Sequence, residues 1–450
     1  MVIDDTICAV STNLGESAIN IIRLSGNDAI KIVSSVFLGA DLKNVESWTI
    51  NHGFIINDLG ERIDEVLVSI FKAPRSYTRE NVVEINTHGG NYVTSRILSL
   101  IISKGARLAE AGEFTKRAFL NGRIDLSEAE AVMDVISARS KKALEIANKE
   151  LSGNTHQFIE SLRKELESLL LLITVNIDYP EYEDEVKITD NEIVKTTSSL
   201  IEKIQKALEE AENMRVYREG IKTIILGKPN VGKSSLLNAL IKEDKAIVTN
   251  ISGTTRDIVE GEVNIGGIIL HLIDTAGIRQ TDDPIEKIGI FKSIEKLNEA
   301  ELVLLVLDHS QKMSEEDRYL LQMTQNKKRI ILGNKTDLNK EKIEEVETLD
   351  VSALTKEGLP LLEEKIKEMF INEEIGDSSG AFISSSRHIS LLNKALLSLK
   401  SAKDAAINKE YVDMAMIDLK DAYDVLGLIT GKTASDTLID ELFAKFCLGK

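Results

Sequence analysis

One eight-residue segment restricts the fold of this 450-residue chain more than any other feature. Gly227–Ser234 reads GKPNVGKS, which matches the phosphate-loop pattern G-x-x-x-x-G-K-[ST]. It follows a β-branched run at 223–226 and precedes the helix-like run SLLNALI. Because such a loop joins a strand to a helix whose N-terminal amide groups bind phosphate, the sequence predicts an α/β domain built around it.

Three further motifs follow in the order expected of a guanine nucleotide site. Asp274–Gly277 reads DTAG after a predicted strand, where a carboxylate near the metal and a glycine near the γ-phosphate are expected. Asn334–Asp337 reads NKTD, and its aspartate can accept hydrogen bonds from guanine N1 and the 2-amino group, which adenine does not offer. Ser352 begins SAL, the expected last contact with the base. The sequence therefore predicts GTP rather than ATP.

A polar segment between the phosphate loop and a predicted hairpin reads GTTRD, at Gly253–Asp257. Its position predicts the first switch, with Thr255 completing the Mg²⁺ shell that Ser234 begins, while Lys233 reaches the β- and γ-phosphates. The predicted nucleotide-binding residues are Asn230, Val231, Gly232, Lys233, Ser234, Ser235, Thr249, Asn250, Ile251, Ser252, Gly253, Thr254, Thr255, Asp274, Thr275, Ala276, Gly277, Asn334, Lys335, Asp337, Ser352 and Ala353.

The residue after DTAG is Ile278, where many small GTPases carry a glutamine that orients water. Isoleucine cannot orient water, so another group must do so. Glu286, in DDPIEKIG, could act through a second water, although the residue alone fits a surface helix equally well. Asn230 could offer an oxygen to a monovalent cation near the phosphates, and such a cation would stabilise developing negative charge.

Hydrophobic patterning divides the chain into four segments. Residues 1–120 mix short β-like runs with helices, and 217–375 alternate strands with helices, which favours a mainly parallel sheet. Residues 121–216 and 376–450 show helical periodicity. The second helical segment is short for a core of its own, so the pattern predicts one helical domain with the α/β domain inserted in it.

Predicted strands in the first segment are Ile7–Val10, Ser17–Leu24, Gly53–Ile56, Glu65–Phe71 and Val82–Thr87, with helices near Asp28–Phe37 and Tyr92–Lys104. Predicted strands in the inserted segment are Thr223–Leu226, Ile258–Ile265, Ile268–Ile273, Leu302–Leu307 and Arg329–Leu332. Gly266-Gly267 predicts a hairpin turn between the second and third of these.

Composition excludes several other classes. The net charge of -18 argues against a large basic nucleic-acid footprint, so contact with nucleic acid should be local or delegated to a partner. Two cysteines, Cys8 and Cys447, argue against a disulfide framework. No apolar run reaches the roughly 18 residues of a spanning helix, and the acidic start lacks a signal peptide's basic region, so we expect a cytoplasmic protein without membrane contact.

The chain ends FCLGK, and this ending, together with GTTRD, DTAGIR and an inserted GTPase domain, resembles the tRNA modification GTPase family MnmE, also called TrmE. AGEFTKRAFLNGRIDLSEAEA at 111–131 is similar to the family's most recognisable stretch. The resemblance extends over the whole chain, through DTICAVST, INIIRLSG, VNIDYPEYEDE and LKDAYDVLGLITG. One small departure is Thr87 before HGG, where many members carry cysteine.

The resemblance implies a multidomain fold. A Ras-like P-loop GTPase domain is inserted in a helical domain and preceded by a tetrahydrofolate-binding-like α+β domain that forms a homodimer. It implies K⁺-stimulated GTP hydrolysis with dimerising G domains. It further implies a FAD-dependent flavoprotein partner of the MnmG/GidA type, in a heterotetramer or larger complex. With this partner the enzyme would add a carboxymethylaminomethyl or aminomethyl-type group at C5 of the wobble uridine (position 34) of certain tRNAs. The one-carbon unit would come from a 5-formyltetrahydrofolate-type folate.

The resemblance also implies roles for individual residues. Glu286 matches the family's catalytic glutamate, and Cys447 is either a reactive thiol or a packed apolar residue. Implied K⁺ ligands are Asn230, Thr249, Ile251 and Thr254; implied Mg²⁺ ligands are Ser234 and Thr255; implied folate contacts are Arg23, Glu80, Arg123 and Lys450.

Two other functions share parts of these motifs. A ribosome-assembly GTPase has the same nucleotide motifs, but it predicts a basic RNA-binding module, and no such module is evident in the sequence. A folate-binding regulatory protein could use GTP hydrolysis only as a timer. Substitution of Lys450 would separate that third function from the enzyme, since a timer predicts intact tRNA modification.

Overall fold

The computed structural model describes residues 5–13, 15–178, 190–242, 261–273, 297–338, 345–371, 380–408, 412–446 and 449. The chain forms two compact units. The first comprises residues within 1–133, 159–167 and 423–450, and the second comprises residues within 134–158 and 168–422. The four segment boundaries inferred from the sequence stay a prediction.

The first unit contains a seven-stranded sheet in the order β3-β4-β5-β6-β2-β1-β7. Its neighbouring strands are antiparallel except β1 and β7, which are parallel. The strands are β1 (Ile7–Val10), β2 (Ile19–Ser25), β3 (Phe37–Gly39), β4 (Thr49–Ile56), β5 (Arg62–Phe71), β6 (Val82–His88) and β7 (Arg107–Leu108). Helices α1 (Ala29–Ser34) and α2 (Asn91–Ser103) share a core with this sheet that includes Ile22, Val68, Ile85 and Ile97.

The five strands and two helices predicted in this region are confirmed: β1 has the predicted bounds, and the others differ at one or both ends. The first helix was predicted to reach Phe37, but it ends at Ser34, because Phe37 pairs with Ile55 of the neighbouring strand. Two short strands, β3 and β7, and helix α3 (Glu113–Leu120) were not predicted. Strands of three and two residues are too short to show an alternating pattern.

Helices α4 (Leu126–Ser137) and α13 (Asp436–Phe443) begin in sequence regions predicted to be helical. Leu126 of α4 belongs to a small apolar core with Ile439, Phe443 and Phe446. Helix α3 contacts α13. Gly112, at the start of α3, has φ +68°, and a Cβ there would lie 2.6 Å from the carbonyl oxygen of Phe443. The residues near both ends of the first unit are therefore packed together.

A buried arginine ties this unit together. Arg117 of α3 is 1% exposed and pairs with Asp5 at 2.6 Å, Glu113 at 3.0 Å and Glu80 at 3.3 Å. Burial by itself favours neutral Glu113, but hydrogen bonds from Arg107, the Glu110 backbone and Arg117 hold the pKa of this carboxyl below its usual value. A buried guanidinium needs such partners, since an unpaired charge in the interior is strongly unfavourable.

The second unit contains a six-stranded sheet in the order β13-β12-β11-β8-β10-β9. Its strands are β8 (Ile221–Leu226), β9 (Gly261–Ile265), β10 (Ile268–Leu272), β11 (Leu302–Asp308), β12 (Arg329–Asn334) and β13 (Leu349–Asp350), and its helices are α8 (Lys233–Lys242), α9 (Glu315–Met323) and α10 (Leu359–Phe370). The strands are parallel except in the β9–β10 hairpin. Gly266 and Gly267 in its turn have φ +60° and +91°, so the predicted hairpin is confirmed.

Long helices complete the second unit and extend the helical part of the first. They are α5 (Lys141–Leu151), α6 (Asn154–Asp178), α7 (Asp190–Glu219), α11 (Ser386–Ile407) and α12 (Val412–Thr430). Helices α7 and α11 pack against each other. Glu219, at the end of α7, accepts a hydrogen bond of 3.2 Å from the Ser386 backbone amide, so the two helix ends that flank the sheet are adjacent. None of the described helices combines the length and apolar character that crossing a membrane requires.

Candidate functional site

The phosphate-loop motif lies between β8 and α8, as the pattern predicts. Gly227 has φ +153° and Gly232 has φ +96°, conformations that residues with side chains rarely adopt. A Cβ on Gly227 would lie 2.4 Å from the carbonyl oxygen of Val306, and one on Gly232 would lie 2.3 Å from Nδ2 of Asn334. Both positions therefore require glycine, and the backbone forms a tight loop that a phosphate can enter.

Lys233 holds its ammonium group against this loop. Its Nζ donates hydrogen bonds to the carbonyl oxygens of Gly227 at 2.5 Å and Lys228 at 2.8 Å. Burial lowers the pKa of Lys233, an effect that the nearby charge of Glu316 opposes. A poorly solvated cation at the mouth of the loop favours an anionic ligand such as phosphate. Ser234 is exposed in the first turn of α8, where a hydroxyl can face a phosphate-bound metal.

The residues predicted to contact the base meet the phosphate loop at the carboxyl ends of the parallel strands. Asn334, which is buried, donates from Nδ2 to the carbonyl oxygen of Val231 at 2.8 Å and accepts at Oδ1 from the Ala353 amide at 3.1 Å. Asp337 accepts a hydrogen bond of 2.6 Å from the Ser352 hydroxyl, which orients its exposed carboxylate. The fit to a guanine nucleotide follows from three motifs, distant in sequence, that converge here.

Two lysines of this site form ion pairs with carboxylates that the sequence analysis missed. Asp308, at the end of β11, pairs with Lys335 at 2.6 Å. Asp317, at the start of α9, pairs with Lys228 at 2.9 Å. A usable signal was present for Asp308, because it directly follows the predicted strand Leu302–Leu307, and the carboxyl ends of parallel strands border the ligand site.

Several predicted site residues lie outside the described residues. They include the catalytic candidate Glu286, the Mg²⁺ candidate Thr255, the thiol Cys447 and the terminal Lys450. The others are Thr249, Asn250, Ile251, Ser252, Gly253, Thr254, Asp274, Thr275, Ala276 and Gly277. The predicted roles of these residues stay predictions.

A second candidate site lies in the first unit, around the ring of Tyr77. The guanidinium carbons of Arg23 and Arg123 lie 5.7 Å and 4.8 Å from its centroid. Arg23 also pairs with Glu84 at 2.8 Å and donates to the carbonyl oxygen of Gly449 at 3.4 Å. The structure therefore brings together two predicted folate contacts and the residue that precedes the third, Lys450.

Glu80, the remaining predicted folate contact, is held by neighbouring protein groups. Its carboxylate accepts a hydrogen bond of 2.6 Å from the Ser25 hydroxyl and bonds of 3.3 Å from Arg117. The sequence analysis missed Glu84, although Arg23 and Glu84 face each other in the register of β2 and β6. Alternation along these two strands was the signal that could have found this pair.

A cavity of about 490 Å³ opens beside Tyr77. Its aromatic lining comes from Trp48, Phe71 and Tyr77, and Glu84 and Arg123 are among its charged lining residues. Arg75, Arg79, Pro74, Ser76 and Val82 complete the lining. Aromatic surfaces suit a flat heterocycle, and guanidinium groups suit a carboxylate tail, so the residues present fit a folate.

Comparison with known proteins identifies the family of the chain. Residues 6–123 match the family model described as GTP-binding protein TrmE N-terminus, and residues 126–447 match the MnmE helical domain. The tRNA modification GTPase MnmE of Streptococcus pyogenes serotype M1 is 51% identical over 452 residues, 99% of this chain and 98% of that protein. The protein of the same name from serotype M4, strain MGAS10750, is 50% identical with the same coverage.

A solved structure with partial similarity is the G domain of the T. maritima FeoB iron transporter. It is 30% identical over 33% of this chain and 97% of that chain, with a TM-score of 0.25. The assignment rests instead on the family models and on relatives that span nearly the whole chain. The chain therefore belongs to the MnmE family of tRNA modification GTPases.

Proposed function

We propose that this chain binds GTP with Mg²⁺, hydrolyses it, and uses the cycle to modify the wobble uridine of certain tRNAs in the cytoplasm. The observation that carries the proposal is the convergence of Asn334, Asp337 and Ser352 on the phosphate loop. This arrangement pairs a guanine-selective carboxylate with a loop suited to phosphate. The family name of the relatives supports tRNA as the object of the reaction.

Hydrolysis needs positive charge near the phosphates and an oriented water. Lys233 provides one charge, and Mg²⁺ held by Ser234 and Thr255 would provide another. K⁺ bound by Asn230, Thr249, Ile251 and Thr254 is the third element of the proposal. Asn230 has φ +64° within the phosphate loop, which places an amide-bearing residue at a sharp turn beside the phosphate position. Glu286 is proposed to orient the water, since Ile278 cannot.

The one-carbon unit is proposed to come from a 5-formyltetrahydrofolate-type folate in the first unit. The cavity beside Tyr77 supports this, because Glu84 can receive hydrogen bonds from a pterin and Arg123 can pair with a glutamate carboxylate. The folate would carry the one-carbon group, and the protein residues would bind and orient it. Arg23, Glu80 and Lys450 complete the proposed contacts. Glu80 would contact the folate after its hydrogen bond with the Ser25 hydroxyl is broken.

Three partners follow from the same proposal: a second copy of the chain, a FAD-dependent flavoprotein and tRNA. The net charge of -18 supports a division of labour in which the flavoprotein provides most of the tRNA contact. Tight, strongly salt-dependent tRNA binding by the isolated chain would contradict that division. A monomeric mass in solution would contradict the homodimer.

The decisive experiment is mass spectrometry of tRNA nucleosides from a strain that lacks this protein. We expect loss of the C5-aminomethyl-type wobble nucleosides, recovery with the wild-type gene, and no recovery with Glu286→Ala. Glu299→Ala, which changes an exposed glutamate outside the site, should restore them. An unchanged nucleoside profile in the deletion strain would contradict the tRNA proposal, and recovery with Glu286→Ala would contradict the role of that residue.

Folate binding is tested by calorimetric titration of the purified chain with 5-formyltetrahydrofolate. Arg123→Ala should weaken binding about tenfold, because it removes a charge-assisted contact from the cavity. Arg62→Ala is a matched control, since Arg62 also lies over an aromatic ring, 4.0 Å from the centroid of Phe54, but does not line the cavity. Equal affinities of the wild type and Arg123→Ala would show that the ligand binds elsewhere.

A further inference from the structure

Residues 308–317, called the connector here, run from the last residue of β11 into the first turn of α9, and a buried carboxylate lies at each end. The side chains of Asp308 and Asp317 are 2% and 3% exposed. Each pairs with a lysine from a different nucleotide motif, Lys335 of NKTD and Lys228 of the phosphate loop. The connector therefore contacts the base side and the phosphate side of the site at once.

The carboxylate of Asp308 is oriented by Ser310 as well as by its partner Lys335. Its Oδ1 accepts hydrogen bonds from the amide of Ser310 at 2.9 Å and from its hydroxyl at 2.6 Å. Its Oδ2 is then directed to Nζ of Lys335 at 2.6 Å. Burial alone would raise the pKa of Asp308, but the bonds from Lys335 and Ser310 hold it below its usual value, so the carboxylate is ionised. Lys335 has φ +67° and lies two residues before Asp337.

Asp317 is fixed in a comparable way at the other end of the connector. Its Oδ2 accepts hydrogen bonds from the amide of Ser314 at 2.9 Å and from the hydroxyl of Ser314 at 2.7 Å. The Asp317 amide in turn donates to the Ser314 hydroxyl oxygen at 3.3 Å, which completes the capping box of α9. Oδ2 of Asp317 also pairs with Nζ of Lys228 at 2.9 Å. The carbonyl oxygen of Lys228 accepts the bond from Lys233, so a continuous chain of contacts runs from Asp317 to the phosphate-binding ammonium.

We propose that Asp308 and Asp317 are positioning residues that set the base-binding lysine and the phosphate loop at a fixed separation. The inference rests on the proposed GTP site. In it, the connector holds the base-binding and phosphate-binding parts of that site in a fixed relative position. Each carboxylate acts through a lysine and does not itself touch the nucleotide. Removing a carboxylate would leave its lysine free to adopt other rotamers and would misplace one half of the site.

The two carboxylates should have different kinetic effects, which a purely structural role would not produce. Asp308→Asn disturbs the base side, which binds the ground state and the transition state alike, so we expect a rise of about tenfold in KM with kcat within twofold of wild type. Asp317→Asn disturbs Lys228, whose carbonyl oxygen accepts a hydrogen bond from Lys233. The contact of Lys233 with phosphate matters most as charge develops in the transition state, so we expect a fall of about tenfold in kcat.

The experiment uses the full chain, with steady-state GTP hydrolysis and fluorescence titration with methylanthraniloyl-GDP. Glu345→Gln is the matched control. It breaks an exposed ion pair of 3.0 Å between Glu345 and Arg318, a residue of α9, and should leave KM and kcat unchanged. Double variants with Lys335→Met and Lys228→Met complete two cycles. The paired changes should be non-additive, with each double variant no worse than its more severe single variant.

The result that overturns the proposal is KM and kcat within twofold of wild type in both carboxylate variants. Additive losses in the double variants would also overturn it, since they would mean that the carboxylates act independently of the lysines. A parallel thermal melt detects unfolding, and the conservative Asp308→Glu and Asp317→Glu variants should recover part of the loss if charge and position are required. A wild-type chain that fails to bind methylanthraniloyl-GDP would instead contradict the proposed GTP site.

Discussion

Replacement of Asp337 by asparagine should change the nucleotide preference of this chain from GTP to xanthosine triphosphate. The Asp337 carboxylate is oriented by the Ser352 hydroxyl at 2.6 Å, and we propose that it accepts hydrogen bonds from N1 and the 2-amino group of guanine. An asparagine amide can instead donate to the carbonyl oxygen that xanthine has at C2. Because a mismatched polar group is left unpaired, we expect kcat/KM for GTP to fall by at least about a hundredfold.

The measurement is kcat/KM of the wild type and Asp337→Asn with both triphosphates. Asp350→Asn is the control, since Asp350 lies on β13 of the same sheet and its side chain is half-exposed. The variant should hydrolyse xanthosine triphosphate better than GTP, whereas the control should resemble the wild type. Loss of both activities in a folded Asp337→Asn chain would mean that this carboxylate does not read the 2-position.

Lys233→Met should have a comparably large effect, because it removes the cation from the phosphate loop while nearly preserving side-chain volume. The ammonium lies between the Gly227 and Lys228 carbonyl oxygens, where it can pass directly to a phosphate. Charge stabilisation of this kind contributes several kcal/mol to phosphoryl transfer, so we expect kcat/KM for GTP to fall about a thousandfold. The measurement is GTP hydrolysis in KCl, with the wild type as reference.

Lys365→Met is the control for the second prediction, since Lys365 is an exposed lysine of α10 that pairs with Glu368. It should hydrolyse GTP at the wild-type rate. Residual hydrolysis above a tenth of wild type in Lys233→Met would contradict the central role of the ammonium. Equal wild-type rates in KCl and NaCl at the same ionic strength would contradict the proposed K⁺ ligand set.

The nucleotide-binding sheet was predictable because several local signals agree. The phosphate-loop pattern fixes a strand and a helix on its two sides, and Gly266-Gly267 fixes a hairpin by its backbone preference alone. The run Leu302–Leu307 is apolar throughout, which is typical of a central parallel strand buried on both faces, and each of its residues is buried. These are properties of short segments, so one sequence was sufficient.

The contacts that complete the sites depended on distant pairs. Asp317 lies 89 positions from Lys228, and Glu84 lies 61 positions from Arg23, so neither partner could be chosen from local spacing. Strand β3 and helix α3 were missed for a related reason: each is short and gains its stability from neighbours that the sequence does not identify. Tertiary pairing, not propensity, determined these features.

The adjacency of Glu219 and Ser386 has a consequence for the order of folding. The partners α7 and α11 are separated by 167 positions at this contact, and the whole nucleotide-binding sheet is synthesised between them. At about 5–20 residues per second, roughly 8–33 seconds of synthesis separate the end of α7 from the start of α11. During that interval α7, whose buried residues include Leu200 and Ile204, lacks the helix that it packs against in the finished protein. The nucleotide-binding sheet can therefore fold before α11 is made, and its folding would bring the start of α11 close to the end of α7.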